Sequence, residues 1–318
     1  SSACLAAPAA PPATPAPAAD QPVLVFKTGF GGDTRVEPSS GTDDQLVGTD
    51  SAPGHKSDLA ADLGLSEVSI QYTGGQLSQR HGKLVPDPAN SKNQVLEFWL
   101  GEPWSASENQ VKARVQANFY GFKTGYREFY QSVRVYLHPD LRALREYPSS
   151  IKWLTLAEFW NDRYWGGDPY GFRITAGIGK PSAAESDLNF ILDAQGPGAR
   201  PIWMAKNETI KVSLGKWFTL DTYFLEGDAA TGRFYVAMTP DGGARKVVFD
   251  VTGWTRNPTD PAPGGMTDWN PLKLYTSKEL VRFMQAKDRR LAVYWDDYEL
   301  WTGRRPTDSQ PAPPATVH

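Results

Sequence analysis

Hydrophobic and polar positions alternate with a period of two in many short segments of the chain, which is typical of β-strands with one buried face. These segments are rich in Val, Ile, Thr, Tyr, Phe and Trp, and clusters of Gly, Pro, Asn or Asp separate them. They lie at 23–30, 93–100, 111–120, 127–137, 172–178, 188–194, 217–225, 232–239, 245–251, 271–277 and 290–301. Helical patterns are weak and short, at 277–285 and 139–146. The pattern predicts an all-β fold, a two-sheet antiparallel β-sandwich of the jelly-roll type with few short helices.

Both ends of the chain differ in composition from the middle. Of the first 20 residues, 14 are Ala or Pro, and the stretch from 304 to 318 is polar and rich in Pro. Such segments cannot bury enough apolar surface to offset the entropy cost of ordering them. We therefore expect a disordered tether at 1–21, one jelly-roll domain at 22–303 and a disordered tail at 304–318.

The polar rows of two predicted strands contain residue types that are suited to ligand binding. In 128–138 the polar side carries Tyr130, Arg134, Tyr136 and His138 opposite an apolar row. In 112–119 the polar side carries Arg114, Gln116 and Asn118. Idle strand surfaces usually carry Lys, Glu and Thr instead. The two rows therefore indicate a binding face, although a sandwich also requires plain solvated faces.

Aromatic side chains are crowded into the stretch 152–171. It contains Glu158, Trp160, Tyr164 and Trp165, and Arg173 follows it on the next strand. Sugar rings have flat faces that stack on aromatic side chains and hydroxyl groups that bind to neighbouring polar groups. The stretch therefore indicates a carbohydrate ligand, although several of the Trp side chains are expected to belong to the core.

Composition and charge exclude several other classes of function. The 33 Lys and Arg nearly balance the 36 Asp and Glu, so the net charge is −3 and no basic field for nucleic acid exists. One cysteine excludes a disulfide framework, and four scattered histidines without an HExxH pattern argue against a catalytic zinc site. No apolar run reaches the length of a transmembrane helix. We expect a monomer that uses no organic cofactor.

Three sequence features resemble known families. Cys4, followed by the Ala/Pro-rich tether, resembles the mature start of a bacterial lipoprotein, which implies export, whether secreted, periplasmic or anchored by lipid at the outer membrane. The segments VFKTGFGGD and LAVYWDDYELW resemble the first and last strands of concanavalin A-like jelly rolls. The strings KARVQ, FYQSVRVY and KLYTS are similar to strands of bacterial jelly-roll polysaccharide lyases.

These resemblances imply a structural Ca²⁺ and a carbohydrate-directed activity. The Ca²⁺ would be held by Asp297 and by the turn that includes Asp33, since oxygen ligands suit this ion. The chain lacks the Arg-x-Glu-x-Arg and Tyr-Phe-Lys-x-Gly strings of alginate lyases of this fold. The fold is therefore better supported by the resemblance than the catalytic identity.

Cleavage of a uronic-acid polymer by β-elimination is the activity that we predict. The reaction needs a group that neutralises the carboxylate, a base and an acid. We assign catalysis to a groove lined by Arg114, Gln116, Tyr130, Arg134, His138 and His81, the last of which lies in a turn-like segment. We assign substrate binding to Asn118, Tyr136, Glu158, Trp160, Tyr164, Trp165 and Arg173.

Two alternatives remain open beside the lyase. A jelly-roll glycoside hydrolase needs a pair of carboxylates, for which Glu158 with Asp162 or Asp221, or Asp297 with Glu299, are candidates. A lectin-like surface protein would bind the glycan without cleaving it. A deep cleft lined by Arg114, Tyr130 and Arg134 would favour the lyase, and a wide shallow groove would favour the lectin.

Overall fold

The computed structural model describes residues 21–50, 59–72, 76–103, 112–161 and 163–309, and these ranges fold into two stacked antiparallel sheets. The strands, in chain order, are β1 (Val23–Thr28), β2 (Arg35–Pro38), β3 (Asp44–Val47), β4 (Ser69–Gln71), β5 (Arg80–Asp87), β6 (Asn90–Leu100), β7 (Lys112–Asn118), β8 (Glu128–Leu137), β9 (Ile151–Trp160), β10 (Arg173–Lys180), β11 (Asn189–Gly196), β12 (Arg200–Asn207), β13 (Trp217–Leu225), β14 (Arg233–Pro240), β15 (Lys246–Thr252), β16 (Asp268–Asn270), β17 (Lys273–Ser277) and β18 (Leu291–Thr302).

Each sheet has its own strand order. Sheet A runs β15-β14-β13-β8-β18-β6-β5, with β1 beside the second half of β18. Sheet B runs β12-β11-β10-β9-β17-β7-β4-β3-β2, with β16 beside β9. This architecture confirms the two-sheet antiparallel sandwich that the alternating pattern predicts.

The core lies between the inner faces of the two sheets. From sheet A it takes the apolar row of β8, including Phe129 and Val133, and from sheet B the apolar row of β7, including Val115. Trp269 and Trp295 are buried in the same core. Burial of each large apolar side chain contributes about 1.5–3 kcal/mol, so these alternating rows hold the sheets together. The polar rows of β7 and β8 consequently face opposite surfaces of the molecule.

Short helices close the sandwich at its edges. They are α1 (Leu59–Leu63), α2 (Lys278–Ala286) and the 3-10 helices Pro139–Glu146 and Pro197–Ala199. The Ser277 hydroxyl caps α2 by accepting the N–H of Leu280 at 3.3 Å, because the first N–H groups of a helix lack partners within it. The helical patterns at 277–285 and 139–146 are thus confirmed, the second as a 3-10 helix.

Two segments outside the predicted strands form strands in the structure. The predicted turn around His81 is wrong, because His81 lies on β5, paired with Trp99 of β6. The first half of the aromatic stretch forms β9 in sheet B, between β10 and β17. The alternation of β9 is disturbed by a bulge opposite Ala176 and Gly177, which obscures its period of two in the sequence.

The chain ends predicted to be disordered are only partly described. The tether at 1–20 and Cys4 lie outside the described residues, and so does the tail from 310 to 318. Residues 304–309 are described and make ion pairs with sheet A. Among the residues described, no helix is long and apolar enough to cross a membrane.

Candidate functional site

A cleft of about 890 Å³ opens on the outer face of sheet B. Its walls come from β9, β10, β11, β12 and β17 and from the loop between β9 and β10. Its charged lining residues are Lys112, Lys152, Glu158, Arg173, Lys180, Asp193 and Lys206. Five of these are cationic and two are anionic, so the cleft carries a surplus of positive charge that favours an anionic ligand.

A buried cluster of charges forms the floor between β9, β10 and β17. The Glu158 carboxylate accepts a hydrogen bond from Nη1 of Arg173 at 2.9 Å and a second, very short one from Nζ of Lys273. Glu158 and Lys273 are only 1% and 3% exposed. Burial opposes the ionisation of Glu158, but Lys273 and Arg173 together hold its pKa below the usual value.

The charges around Lys273 differ from those around Glu158. Burial, opposed by Glu158 and reinforced by the nearby positive charge of Arg114, lowers the pKa of Lys273 to about 8. Glu158 interacts with two cations, whereas Lys273 has one anion and further cations around it. The floor of the cleft therefore remains cationic at neutral pH.

Tyr275 stands next to this floor and is surrounded by positive charge. The Nζ atoms of Lys112 and Lys273 lie 5.4 and 4.9 Å from its ring centroid, and the guanidinium carbon of Arg114 lies at 5.8 Å. Trp153 packs against the same ring, with centroids 4.8 Å apart. The pairing of Tyr275 with Arg114 across β17 and β7 produces this arrangement.

Side-chain amides lie on the same outer face of sheet B, beyond β17. Nε2 of Gln116 donates to Oδ1 of Asn118 at 2.9 Å and to the hydroxyl of Tyr120 at 3.0 Å. Nδ2 of Asn270 donates to Oδ1 of Asn118 at 2.7 Å and lies 3.5 Å from the Tyr120 hydroxyl. These amides are buried, while Tyr120 as a whole is 37% exposed and its ring packs edge-on against Trp160.

Burial and the neighbouring amides determine the protonation of the Tyr120 hydroxyl. Burial of the hydroxyl raises its pKa, against the opposing effect of the Asn270 hydrogen bond, so Tyr120 is a phenol at neutral pH. Its oxygen accepts an N–H of Gln116 at 3.0 Å, while Nδ2 of Asn270, 3.5 Å away, places its two hydrogens on Asn118 and on the carbonyl of Ala117. The Gln116 donor would stabilise the oxygen after proton loss.

An aromatic pair stands at the edge of the cleft on the β9–β10 loop. Trp165 is 65% exposed, and its ring meets that of Tyr164 edge-on. The guanidinium of Arg173 lies over both rings, 4.7 Å from the centroid of Tyr164 and 5.5 Å from that of Trp165. An exposed indole supported from beneath is a suitable platform for a sugar ring.

The predicted site residues separate into two groups on opposite surfaces. On the outer face of sheet B lie Arg114, Gln116, Asn118, Glu158, Trp160, Tyr164, Trp165 and Arg173. On the outer face of sheet A or at its end lie His81, Tyr130, Arg134, Tyr136 and His138. The predicted groove of Arg114, Tyr130 and Arg134 is therefore wrong, because the core lies between β7 and β8.

The two histidines are held in networks on the sheet A side. Nε2 of His81 lies 2.6 Å from Oε1 of Glu97, and Arg290 donates to the same oxygen at 2.9 Å. Nδ1 of His138 accepts the backbone N–H of Asp140 at 3.1 Å and so caps the 3-10 helix that follows. Both histidines therefore belong to sheet A, whereas the cleft lies on sheet B.

The remaining sheet A candidates are paired with neighbours as well. Arg134 forms a short ion pair with Asp241 and lies over the ring of Trp217, while Tyr136 packs edge-on against Trp217. The Tyr130 ring is covered by the guanidinium of Arg304 at 4.3 Å.

The two carboxylates predicted to hold Ca²⁺ have protein partners. Oδ1 of Asp33 accepts the N–H of Thr49 at 2.5 Å, and Oδ2 of Asp297 lies 3.9 Å from Arg134. Asp297 has a φ of 44° at the bulge where β18 changes its partner from β6 to β1. No group of three or more His, Cys, Asp or Glu side chains in the described ranges is placed to hold a metal ion. The Ca²⁺ site stays a prediction.

Sequence reasoning missed Tyr120, Lys273, Tyr275 and Asn270. Continuing the alternation of β7 past Asn118 would have placed Tyr120 beside the amides, and the period of two in KLYTS places Lys273 and Tyr275 on one face. No signal in the sequence indicates that Asn270, on the short strand β16, reaches Asn118.

Comparison with known proteins finds similar solved structures. No protein-family model matches the sequence, and no curated protein sequence does. Alginate lyase Aly36B is 14% identical with a TM-score of 0.45, over 89% of this chain and 97% of its own. The endo-β-1,4-glucuronan lyase of the fungus Trichoderma reesei is 14% identical with a TM-score of 0.42, over 73% and 94%. SCLam, a non-specific endo-β-1,3(4)-glucanase from family GH16, is 12% identical with a TM-score of 0.42, over 89% and 92%. These distant similarities are to two polysaccharide lyases and a glucanase.

Proposed function

We propose that this protein is a polysaccharide lyase that cleaves a uronic-acid-containing glycan by β-elimination on the outer face of sheet B. The observation that carries the proposal is the Tyr120 phenol, which accepts an N–H of Gln116 on the same face of sheet B as the cationic cleft. Elimination needs a proton donor for the leaving oxygen and positive charge for the substrate carboxylate. This face supplies both.

Each chemical role has a candidate on this face. Arg114, with the neighbouring amide of Gln116, would neutralise the uronate, since a charge-assisted hydrogen bond stabilises the enolate-like charge that develops there. Tyr120 would protonate the leaving glycosidic oxygen. Tyr275 is our candidate for the base, because the three cations around its ring would stabilise negative charge in the transition state.

A glycoside hydrolase is less well supported by the same cleft. Its lining contains two carboxylates, Glu158 and Asp193. Glu158 is buried, bound to two cations and held ionised, so it is a poor proton donor at neutral pH. A hydrolase needs one protonated and one ionised carboxylate on either side of the scissile bond.

Glycan binding without cleavage is the second candidate, and the exposed platform of Trp165 favours it. Secretion, lipidation of Cys4 and the identity of the glycan remain predictions that separate experiments must address.

The test measures the ultraviolet absorbance of unsaturated uronate while the protein is incubated with acidic and neutral polysaccharides. We expect a rise with an acidic glycan, a loss of about 10²-fold or more in kcat/KM for Tyr120→Phe, and a loss of similar size for Arg114→Ala. Arg134→Ala is the matched control on sheet A and should retain activity. New reducing ends without absorbance would indicate hydrolysis instead, and binding without either product would indicate a lectin.

A further inference from the structure

The end of the described chain lies against the outer face of sheet A, opposite the cleft. Arg305 binds Glu128 of β8 through two hydrogen bonds, of 2.5 and 3.0 Å. Three residues later, Oδ2 of Asp308 accepts Nε of Arg245 at 3.0 Å, and its other oxygen accepts the hydroxyl of Tyr235 in a very short bond. The segment thus places one cation and one anion on groups of opposite charge.

The groups that receive the segment are held by the sheet itself. Arg245 forms a short ion pair with Asp221, and its Nη2 donates to the hydroxyls of Tyr235 at 2.9 Å and Tyr130 at 3.4 Å. Oε1 of Glu128 also accepts the hydroxyl of Tyr223 at 2.6 Å. The guanidinium of Arg245 and the carboxylate of Glu128 are therefore oriented before the segment binds, and such pre-organisation favours recognition over a casual surface contact.

The spacing of the segment fits these two groups. Pro306 follows Arg305, and a residue before proline is restricted to extended conformations, which limits the freedom that docking must remove. Arg304 adds a cation–π contact, with its guanidinium 4.3 Å from the ring centroid of Tyr130. Beneath it, Tyr130, Tyr223 and Tyr235 form a separate buried cluster on this face.

We propose that this part of sheet A is a docking site for an Arg-x-x-Asp segment and that residues 305–308 of the chain are its resident ligand. The site consists of Glu128 and Arg245, with the hydroxyls of Tyr223 and Tyr235 beside them. It selects its ligand by the order and spacing of one cation and one anion. It holds the end of the domain on the face that the proposed catalytic cleft does not use, and it does not depend on that proposed activity.

The test is limited proteolysis of the full chain with trypsin, followed by mass spectrometry. In the segment the susceptible bond follows Arg304, since the bond between Arg305 and Pro306 resists trypsin. Docking should protect this bond, because a protease needs an extended, released chain. Asp308→Ala should speed cleavage about tenfold and Glu128→Gln about fivefold, as charge-assisted hydrogen bonds are lost. High salt should accelerate cleavage of the wild type.

Glu185→Gln is the control, since Glu185 is exposed and distant in sequence from the segment. Far-ultraviolet circular dichroism should show that all variants are folded. Cleavage of the wild type as fast as that of Asp308→Ala would overturn the proposal, and so would unchanged protection in both Asp308→Ala and Glu128→Gln. Neither result depends on catalysis.

Discussion

The outer faces of the two sheets are built from similar residues, rich in Arg, Tyr and carboxylates, yet their charges are organised differently. On sheet A several cations each have a carboxylate of their own, as with Arg233 and Asp250 at 2.7 Å or Lys27 and Glu299 at 2.8 Å, and Arg245 has two, Asp221 and Asp308. On sheet B, Lys273 and Arg173 share the single carboxylate of Glu158. Matched charges stabilise a surface locally, whereas a shared carboxylate leaves positive charge available to a ligand.

The two faces also differ in what covers them. Residues 304–308 lie over the tyrosine cluster of sheet A, while sheet B opens into the cleft of about 890 Å³. Residue type alone therefore does not identify a binding face. A binding face is identified instead by the balance of the charges that lie close together on it and by the open space above them.

The two faces should differ most in how much stability is lost when one of their carboxylates is removed. Glu158→Gln should lower the free energy of unfolding by about 3–5 kcal/mol, because it leaves Lys273 buried without its counter-ion. Glu299→Gln on sheet A breaks a partly exposed pair and should cost less than about 1 kcal/mol. Urea unfolding at neutral pH measures both. Adding Lys273→Met to Glu158→Gln should recover much of the loss. Equal effects of the two single substitutions would contradict the proposed asymmetry.

A smaller effect is expected on glycan affinity. Trp165→Ala should weaken the binding of an acidic oligosaccharide about fivefold through loss of a stacking platform, with little change in stability because the side chain is exposed. Trp99→Ala provides the comparison on sheet A, where Trp99 packs against His81. Titration calorimetry distinguishes the two. Weaker binding by Trp99→Ala, with Trp165→Ala unaffected, would place the ligand on the wrong face for our proposal.

The smallest effect concerns pH. Lys273 has a pKa of about 8 in the folded protein, below its ordinary value of 10.5. Raising the pH through 8 removes one positive charge from the cleft floor, so affinity for an anionic oligosaccharide should fall about two- to threefold. Lys273→Arg keeps the charge and should flatten this dependence in binding measurements between about pH 6.5 and 9.5. An unchanged slope in that variant would exclude Lys273 as the titrating group.

Loss of the same proton from Lys273 should lower glycan affinity but raise stability as the pH increases. Above pH 8 the unfolded chain still holds the lysine proton that the folded chain has released, up to the ordinary pKa of 10.5. The unfolded state then binds more protons, so the contribution of Lys273 to stability rises with pH in this window.

Many residues of the candidate site could be predicted from the sequence, but which of them lie on the same face could not. Trp165, Arg173 and Glu158 were identifiable because aromatic and charged residues were concentrated around them. Tyr120 escaped notice because it lies two residues beyond the end of β7, and because Asn270, more than a hundred residues away in sequence, completes the amide group beside it. The capping and pairing contacts of His138 and His81 are invisible in a strand pattern, so the sequence could not show them.

The sequence by itself determined which side of each strand is buried, and from that the sandwich. Alternation is local, and burial of the apolar row fixes the register of the strand faces. Tertiary structure alone decided which outer surface each polar row joins. Arg114 and Arg134 occupy equivalent positions in similar strands, but β7 pairs with β17 and β4 while β8 pairs with β13 and β18. Pairing between strands distant in sequence, which no single strand encodes, therefore separated the two arginines onto opposite faces of the protein.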